Sequence, residues 1–197
     1  GNIGLPSGAP AALLRNLTLL QESTAIRRAA FQGCVNLTTL ALPTGITSIG
    51  ANAFQNCSSL PSITIPSTTS SIGDAAFRNC IKLTDCAIKG AVTILPASCF
   101  AGCTAMKTID LPSSTASIEN FAFQGCSALE SLTLPAGLKS LGVEAFSGCS
   151  SLRSITFLGN APQLINGVTP PFPFNPNLTL RIPSGTNSFG VNPWAAY

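Results

Sequence analysis

Apolar residues recur along this chain in columns that advance by 23 positions. The plainest are Phe31, Phe54, Phe77, Phe100, Phe123 and Phe146, and, three residues on, Cys34, Cys57, Cys80, Cys103, Cys126 and Cys149, with no insertion or deletion in either set. Each Cys is followed by a Leu-x-x-Leu-x-Leu pattern: Leu37, Leu40, Leu42; Leu60, Ile63, Ile65; Leu83, Cys86, Ile88; Met106, Ile109, Leu111; Leu129, Leu132, Leu134; Leu152, Ile155, Phe157. Leu14, Leu17 and Leu19 extend the columns backwards. The last two columns alternate with polar residues at period two, which predicts a short strand with one buried face, and Pro43, Pro66, Pro112 and Pro135 end it. A further apolar column, Ile26, Ile49, Ile72, Leu95, Ile118 and Leu141, precedes an Ala-Phe step that predicts a short helical or 3-10 turn.

One 23-residue unit cannot bury its own Leu, Ile and Phe, so successive units must stack and pool these columns into a continuous core. The expected fold is a leucine-rich-repeat solenoid, α/β-type but mostly β, with a parallel sheet on the concave face and short turns on the convex side. Seven strands from Leu14 to Phe157, ~4.8 Å apart, make a sheet on the order of 30 Å wide. The period lapses after Gly159, where a Pro- and Phe-rich stretch leads into Leu178-Thr-Leu-Arg-Ile-Pro183 and then Phe189, Trp194 and Tyr197. A sheet edge needs a cover, so this tail is expected to add a last strand and lay aromatics over the core. The division expected is a lead-in at 1–11, repeats at 12–158 and a capping segment at 159–197.

The unit Leu-x-x-Ile-x-Ile-Pro, Ile-Gly, Ala-Phe-x-Gly/Asn-Cys resembles the BspA-like class of leucine-rich repeats over about residues 14 to 158. The tail from Leu178 to Trp194 resembles the terminal cap of bacterial members. The resemblance implies an extracellular or surface-anchored bacterial protein that attaches to host, matrix or other cells, and it brings no catalytic residue. Lys89 at the Pro column, Pro96 at the Gly column and Cys99 at the Ala column depart from the pattern, all around one tier.

Only 9% of residues are charged, so the surface must consist largely of Ser, Thr, Asn and Gly. The net charge of +3 is scattered, with Arg27-Arg28 the one adjacent basic pair, and no nucleic-acid footprint results. Apolar runs are broken far short of the ~20 residues of a spanning helix, so no membrane-spanning segment is expected.

Eight cysteines raise a disulfide or metal reading. Six share one column, which favours a buried stack of free thiols. Cys99-x₃-Cys103 is the nearest approach to zinc-ligand spacing in a chain without histidine, and neither metal nor cofactor is expected. Cys86 reads as a core residue, with a Cys86 to Cys99 bond as the alternative. The missing histidine also removes the commonest general base. Asp85 and Asp110 lie at outward strand positions on adjacent tiers, and a diagonal of ~7–8 Å would suit an inverting glycosidase pair. A flat exposed sheet offers such a pair no pocket, so no catalytic residue is assigned.

The outward strand columns are small and polar: Thr39, Ser62, Asp85, Thr108, Ser131, Ser154, and Ala41, Thr64, Ala87, Asp110, Thr133, Thr156. Beside them Lys107, Glu130 and Arg153 alternate in sign at strand spacing, an arrangement suited to pairing with one another. The face is poor in the Trp, Tyr and Arg that dominate protein hot spots. Asp85, Lys107, Asp110, Glu130 and Arg153 are therefore the binding candidates on a bland surface. The Asn-x-Ser/Thr matches at Asn16, Asn36, Asn56 and Asn177 read as products of the repeat. The functional expectation is an interaction module contacting a protein or glycan on a host or neighbouring cell surface, with a structural spacer as the alternative.

Overall fold

The computed structural model describes residues 2–5, 11–19, 21–164, 172 and 178–185. Phe189, Trp194 and Tyr197, expected in the cap, lie outside the described residues. Each coil has three sides, and backbone hydrogen bonds at a spacing close to 23 residues join each side to the next coil except where a ladder is interrupted.

The first side carries the expected strands: Asn16–Thr18, Thr39–Ala41, Ser62–Ile65, Asp85–Ile88, Ser131–Leu134 and Ser154–Phe157. Pairing is parallel and each residue faces its repeat equivalent, Leu17 with Leu40, Ile63 with Cys86 and Leu132 with Ile155. Thr179–Arg181 adds a last strand beside Ser154–Thr156, as the tail's pattern suggested. The tier from Met106 to Leu111 differs from expectation, because its strand is reduced to a single bridge between Ala87 and Asp110.

The second side was read from sequence only as an apolar column. It is a ladder of two-residue strands: Asn2–Ile3, Ala25–Ile26, Ser48–Ile49 and Ser71–Ile72, then Ile94–Leu95, Ser117–Ile118, Ser140–Leu141 and Gln163–Leu164. Asn2 pairs with Ala25 and Leu164 with Leu141, so repeat register extends into the expected lead-in at one end and past residue 158 at the other.

On the third side the i→i−3 bonds of a 3-10 turn do form, as in Gln32 N–H to Ala29 C=O and Cys34 N–H to Phe31 C=O. They alternate with bonds to the next coil, Ala29 to Ala51, Phe31 to Ala53 and Gly33 to Gln55. The result is a run of turns rather than a helix. Two columns per coil take the left-handed backbone conformation. One is Gly33, Asn56, Asn79, Gly102, Gly125 and Gly148, residue types that accept it readily; the other includes Ala75 and Phe121.

Proline placement explains how the ladders begin and stop. Pro43, Pro66, Pro112 and Pro135 each accept an i→i−3 bond that turns the chain off the strand. Lys89 and Leu158 occupy the same column with an N–H available, and each donates it back to the preceding coil, to Ile65 and Leu134. Pulled onto that coil, the following residue must be glycine, and it is: Gly90 and Gly159. A Cβ on Gly90 would lie 2.0 Å from the Thr69 carbonyl oxygen. Because the obstacle is backbone, Gly90→Ala is expected to lower stability by about 3 kcal/mol in urea unfolding. Gly137→Ala, whose nearest neighbour would be 3.6 Å away, should stay within about 0.5 kcal/mol.

Two other prolines open gaps. In other coils Thr38, Thr84 and Glu130 donate to the preceding coil; Pro61 in that column cannot, and Thr39–Ala41 and Ser62–Ile65 share no ladder. On the second side Gly50, Gly73, Glu119 and Gly142 donate to the preceding coil. Pro96 has no N–H to offer Ile72, and that ladder divides there.

Between the three sides the core is built of columns. The six repeat phenylalanines stack with ring centroids 5.3 to 5.6 Å apart, and Phe172 closes the stack against Phe146 at 5.2 Å. Cys57, Cys80, Cys103, Cys126 and Cys149 each donate a thiol hydrogen bond of 3.2 Å to the carbonyl of the preceding coil's Phe. All eight cysteines, Cys86 and Cys99 included, are buried free thiols. A column that hydropathy alone did not single out runs Ile46, Thr69, Val92, Thr115, Leu138. Its buried threonines spend their hydroxyls on the carbonyls of Ile46 and Val92 one coil back, so they sit in the core without an orphaned donor.

Candidate functional site

The strand face presents its residues as the period-two pattern requires. Asp85 begins one strand and points outward, while Cys86 and Ile88 point into the core. Asp110 is exposed and lies beside Ala87, so Asp85 and Asp110 stand two positions apart on adjacent coils, as the repeat arithmetic predicts. Lys107, Glu130 and Arg153 are exposed and stacked in one column, with the Glu130 N–H on the Lys107 carbonyl and the Arg153 N–H on the Glu130 carbonyl. No side-chain ion pair joins these three, contrary to the pairing their alternating signs suggested. Exposed charges gain little from pairing and lose side-chain freedom by it.

Many neighbouring hydroxyls serve the scaffold. Thr38, Thr47 and Thr84 donate to carbonyls of the preceding coil, and Asn36 donates to Ala12 at 2.6 Å. Asn56 accepts from Asn79 at 3.0 Å and Gln32 donates to Gln55 at 2.6 Å, so polar rungs run along the turn side as well.

The face is not flat, which corrects the sequence reading. A groove of about 460 Å³ runs beside Asp110, between Ile109, Leu111 and Ser113 on one coil and Thr133, Pro135 and Ala136 on the next, with Leu158 at its far end. A second groove of about 330 Å³ lies three coils earlier, between Leu40, Ala41, Leu42 and Thr44 and Ser62, Ile63, Thr64 and Pro66. The two are repeat equivalents, with Ala41 in the position of Asp110 and Thr64 in that of Thr133. Each sits where the first ladder is open: one at the gap that Pro61 causes, the other where the bond from Glu130 to Lys107 is followed by no rung between 109–111 and 132–134. Asp110 lines its groove and Asp85 does not, so the two carboxylates do not converge on one cleft. The pattern that could have flagged this site is the loss of proline at Leu158, which leaves a large apolar side chain 54% exposed at the end of a groove that Asp110 also lines.

Among the described residues no group of three His, Cys, Asp or Glu side chains is placed to hold a metal ion. Burial pushes the thiols of Cys80 and Cys149 up to about 12, those of Cys86 and Cys126 higher still, and those of Cys99 and Cys103 well above the ordinary thiol range. Contact with Cys34, then burial, raises Cys57. Such groups are inert as nucleophiles at neutral pH. No helix among the described residues is long and apolar enough to cross a membrane.

Comparison with known proteins agrees with this architecture. The model of the BspA-type leucine-rich-repeat region matches residues 70–168 in six copies. A leucine-rich repeat protein of T. pallidum is 30% identical with a TM-score of 0.70, over 76% of this chain and 71% of that one. One from Bacteroides ovatus shares the fold at 23% identity and a TM-score of 0.62, over 83% of this chain and 54% of that one. A leucine-rich cell surface protein of Faecalibacterium prausnitzii is 26% identical with a TM-score of 0.50, over 81% and 60% of the two chains. The chain thus spans about half the length of the Bacteroides ovatus protein and about two thirds of the other two. No curated protein matches it. The leucine-rich-repeat fold is typically one of protein interaction and is generally non-catalytic. By period, columns and family model together, this chain belongs to the BspA-type leucine-rich-repeat family.

Proposed function

We propose that the chain is a non-catalytic interaction module of an exported or cell-surface protein, presenting its strand face to a protein or glycan on a host, matrix or neighbouring-cell surface. The observation that carries the reading is the distribution of charge. The chain has 10 basic and 7 acidic residues, and five of them, Asp85, Lys107, Asp110, Glu130 and Arg153, stand exposed in adjacent columns of four successive coils. The cores of these coils use none of them, so a partner is the simplest use for their charge. Description of the Faecalibacterium relative as a cell surface protein supports the location. Within this reading residues 1–11 lead in, 12–158 carry the repeats and 159–197 cap them.

The test is biolayer interferometry of the soluble chain over a panel of immobilised matrix proteins and glycans. The wild type is compared with a variant carrying Asp85→Ser, Lys107→Ser, Glu130→Ser and Arg153→Ser. Saturable binding that falls at least about tenfold in the variant, with an unchanged melting temperature, is the expected result. Retention on none of the surfaces would favour a structural spacer, and retention unaffected by the four changes would move the site off this face.

A further inference from the structure

Resting on the interaction reading, we infer that the groove at Asp110 receives a lysine or arginine side chain from an extended peptide segment of the partner protein, flanked by apolar residues. The groove's walls are apolar, from Leu111, Pro135, Ala136 and Leu158, and the one charged group lining it is the Asp110 carboxylate. No basic side chain among the described residues forms an ion pair with Asp110, so its charge is left for an outside cation. A long cationic side chain matches this combination of surfaces. Its methylene stem covers Pro135 and Leu158 while its head reaches the carboxylate, and an apolar neighbour covers the remaining wall. A volume of about 460 Å³ suits two side chains rather than a folded surface.

The repeat supplies its own control. In the equivalent groove three coils earlier Ala41 replaces Asp110, and Lys89 stands where Leu158 would be. That groove has the same backbone opening and the same threonine, yet it offers a cation no partner and sets a positive charge on the next coil. The specificity therefore lies in two residues, Asp110 and Leu158, rather than in the fold.

Amide chemical shifts of the intact chain, followed while the capped tripeptide acetyl-leucyl-arginyl-leucinamide is added, test the assignment. Amides at 109–111, 133–136 and 158 should shift saturably and those at 40–44 and 62–66 should not. Asp110→Asn should weaken the affinity about tenfold, and added salt should weaken it in the wild type. The assignment is overturned if the glutamyl counterpart moves the same amides equally, if Asp110→Asn binds as tightly as wild type, or if the groove amides do not move. Should the groove amides stay still while the strand-face variant loses partner binding in interferometry, the interaction reading stands and the groove assignment alone falls. A titrating groove with no partner in interferometry separates the two in the other direction.

Discussion

Replacing Phe100 by alanine is expected to destabilise the chain by about 4 kcal/mol and to split its unfolding into two transitions. The ring is fully buried between Phe77 at 5.4 Å and Phe123 at 5.6 Å, so truncation removes two stacking contacts and leaves a cavity that the aligned columns around it cannot close. Location makes the loss worse. Pro96 divides the second-side ladder just before this coil, and the first-side ladder opens just after it, between Asp110 and Ser131–Leu134. At the Pro96 seam, turn-side bonds such as Phe77 N–H to Cys99 C=O, the single Ala87–Asp110 bridge and the core columns are what join the two halves, while at the next seam the pairing of Ile94–Leu95 with Ser117–Ile118 is kept. In a solenoid, stability is the sum of coil and interface contributions, so weakening the thinnest interface uncouples the blocks on either side. Phe31→Ala, which removes a ring with one described neighbour in the stack, Phe54, should cost less and keep a single transition. Urea unfolding followed by circular dichroism checks both. A single transition with a loss below about 1 kcal/mol for Phe100→Ala would show that the stack does not carry the centre of the molecule.

Alkali is expected to unfold this protein from pH 9 upwards, far earlier than its low charge would suggest. Cys80 and Cys149 are held protonated by burial up to about 12, Cys57, Cys86 and Cys126 are raised further, and Cys99 and Cys103 are raised well above the ordinary thiol range. Cys34 shifts the other way, lowered by its contact with Cys57. An unfolded thiol loses its proton near pH 8.5, so between that value and its folded pKa the native state binds the extra proton. Stability is therefore complete below about pH 8.5 and falls as pH rises, by about 1.4 kcal/mol per pH unit for each thiol ionised on unfolding. With seven such groups the urea midpoint should drop steeply between pH 8.5 and 10.5, and Cys80→Ala with Cys149→Ala should make the fall shallower. At pH 7 all eight thiols should resist Ellman's reagent until the chain is denatured, then all react. A flat stability profile across pH 8 to 10, or a denatured count short by two, would contradict the buried free-thiol ladder.

The strand face shows where reading the sequence succeeds and where it stops. Outward placement of Asp85 and Asp110, inward placement of Cys86 and the two-residue offset between the carboxylates all follow from period two within a strand and period 23 between strands. The grooves do not follow, because they arise where neighbouring coils fail to pair. Pro61 occupied a polar column and carried no visible warning, since its effect is a missing donor to a coil 23 residues away. Thr69 and Thr115 hid the column they share with Ile46 and Val92, because a threonine counts as polar until its hydroxyl is seen on a carbonyl one coil back.

The sequence by itself determined the repeat length, the inward columns, the parallel stacking and the family, because burying Phe, Leu and Cys at a strict 23-residue period admits one arrangement of coils. Tertiary structure alone decided where the coils part, which of the expected strands forms only a bridge, and that Asp110 and Leu158 line one groove while Asp85 stays outside it. Those outcomes depend on whether a particular N–H reaches a particular carbonyl on the neighbouring coil, a matter of distance and direction between residues that hydropathy along the chain does not encode.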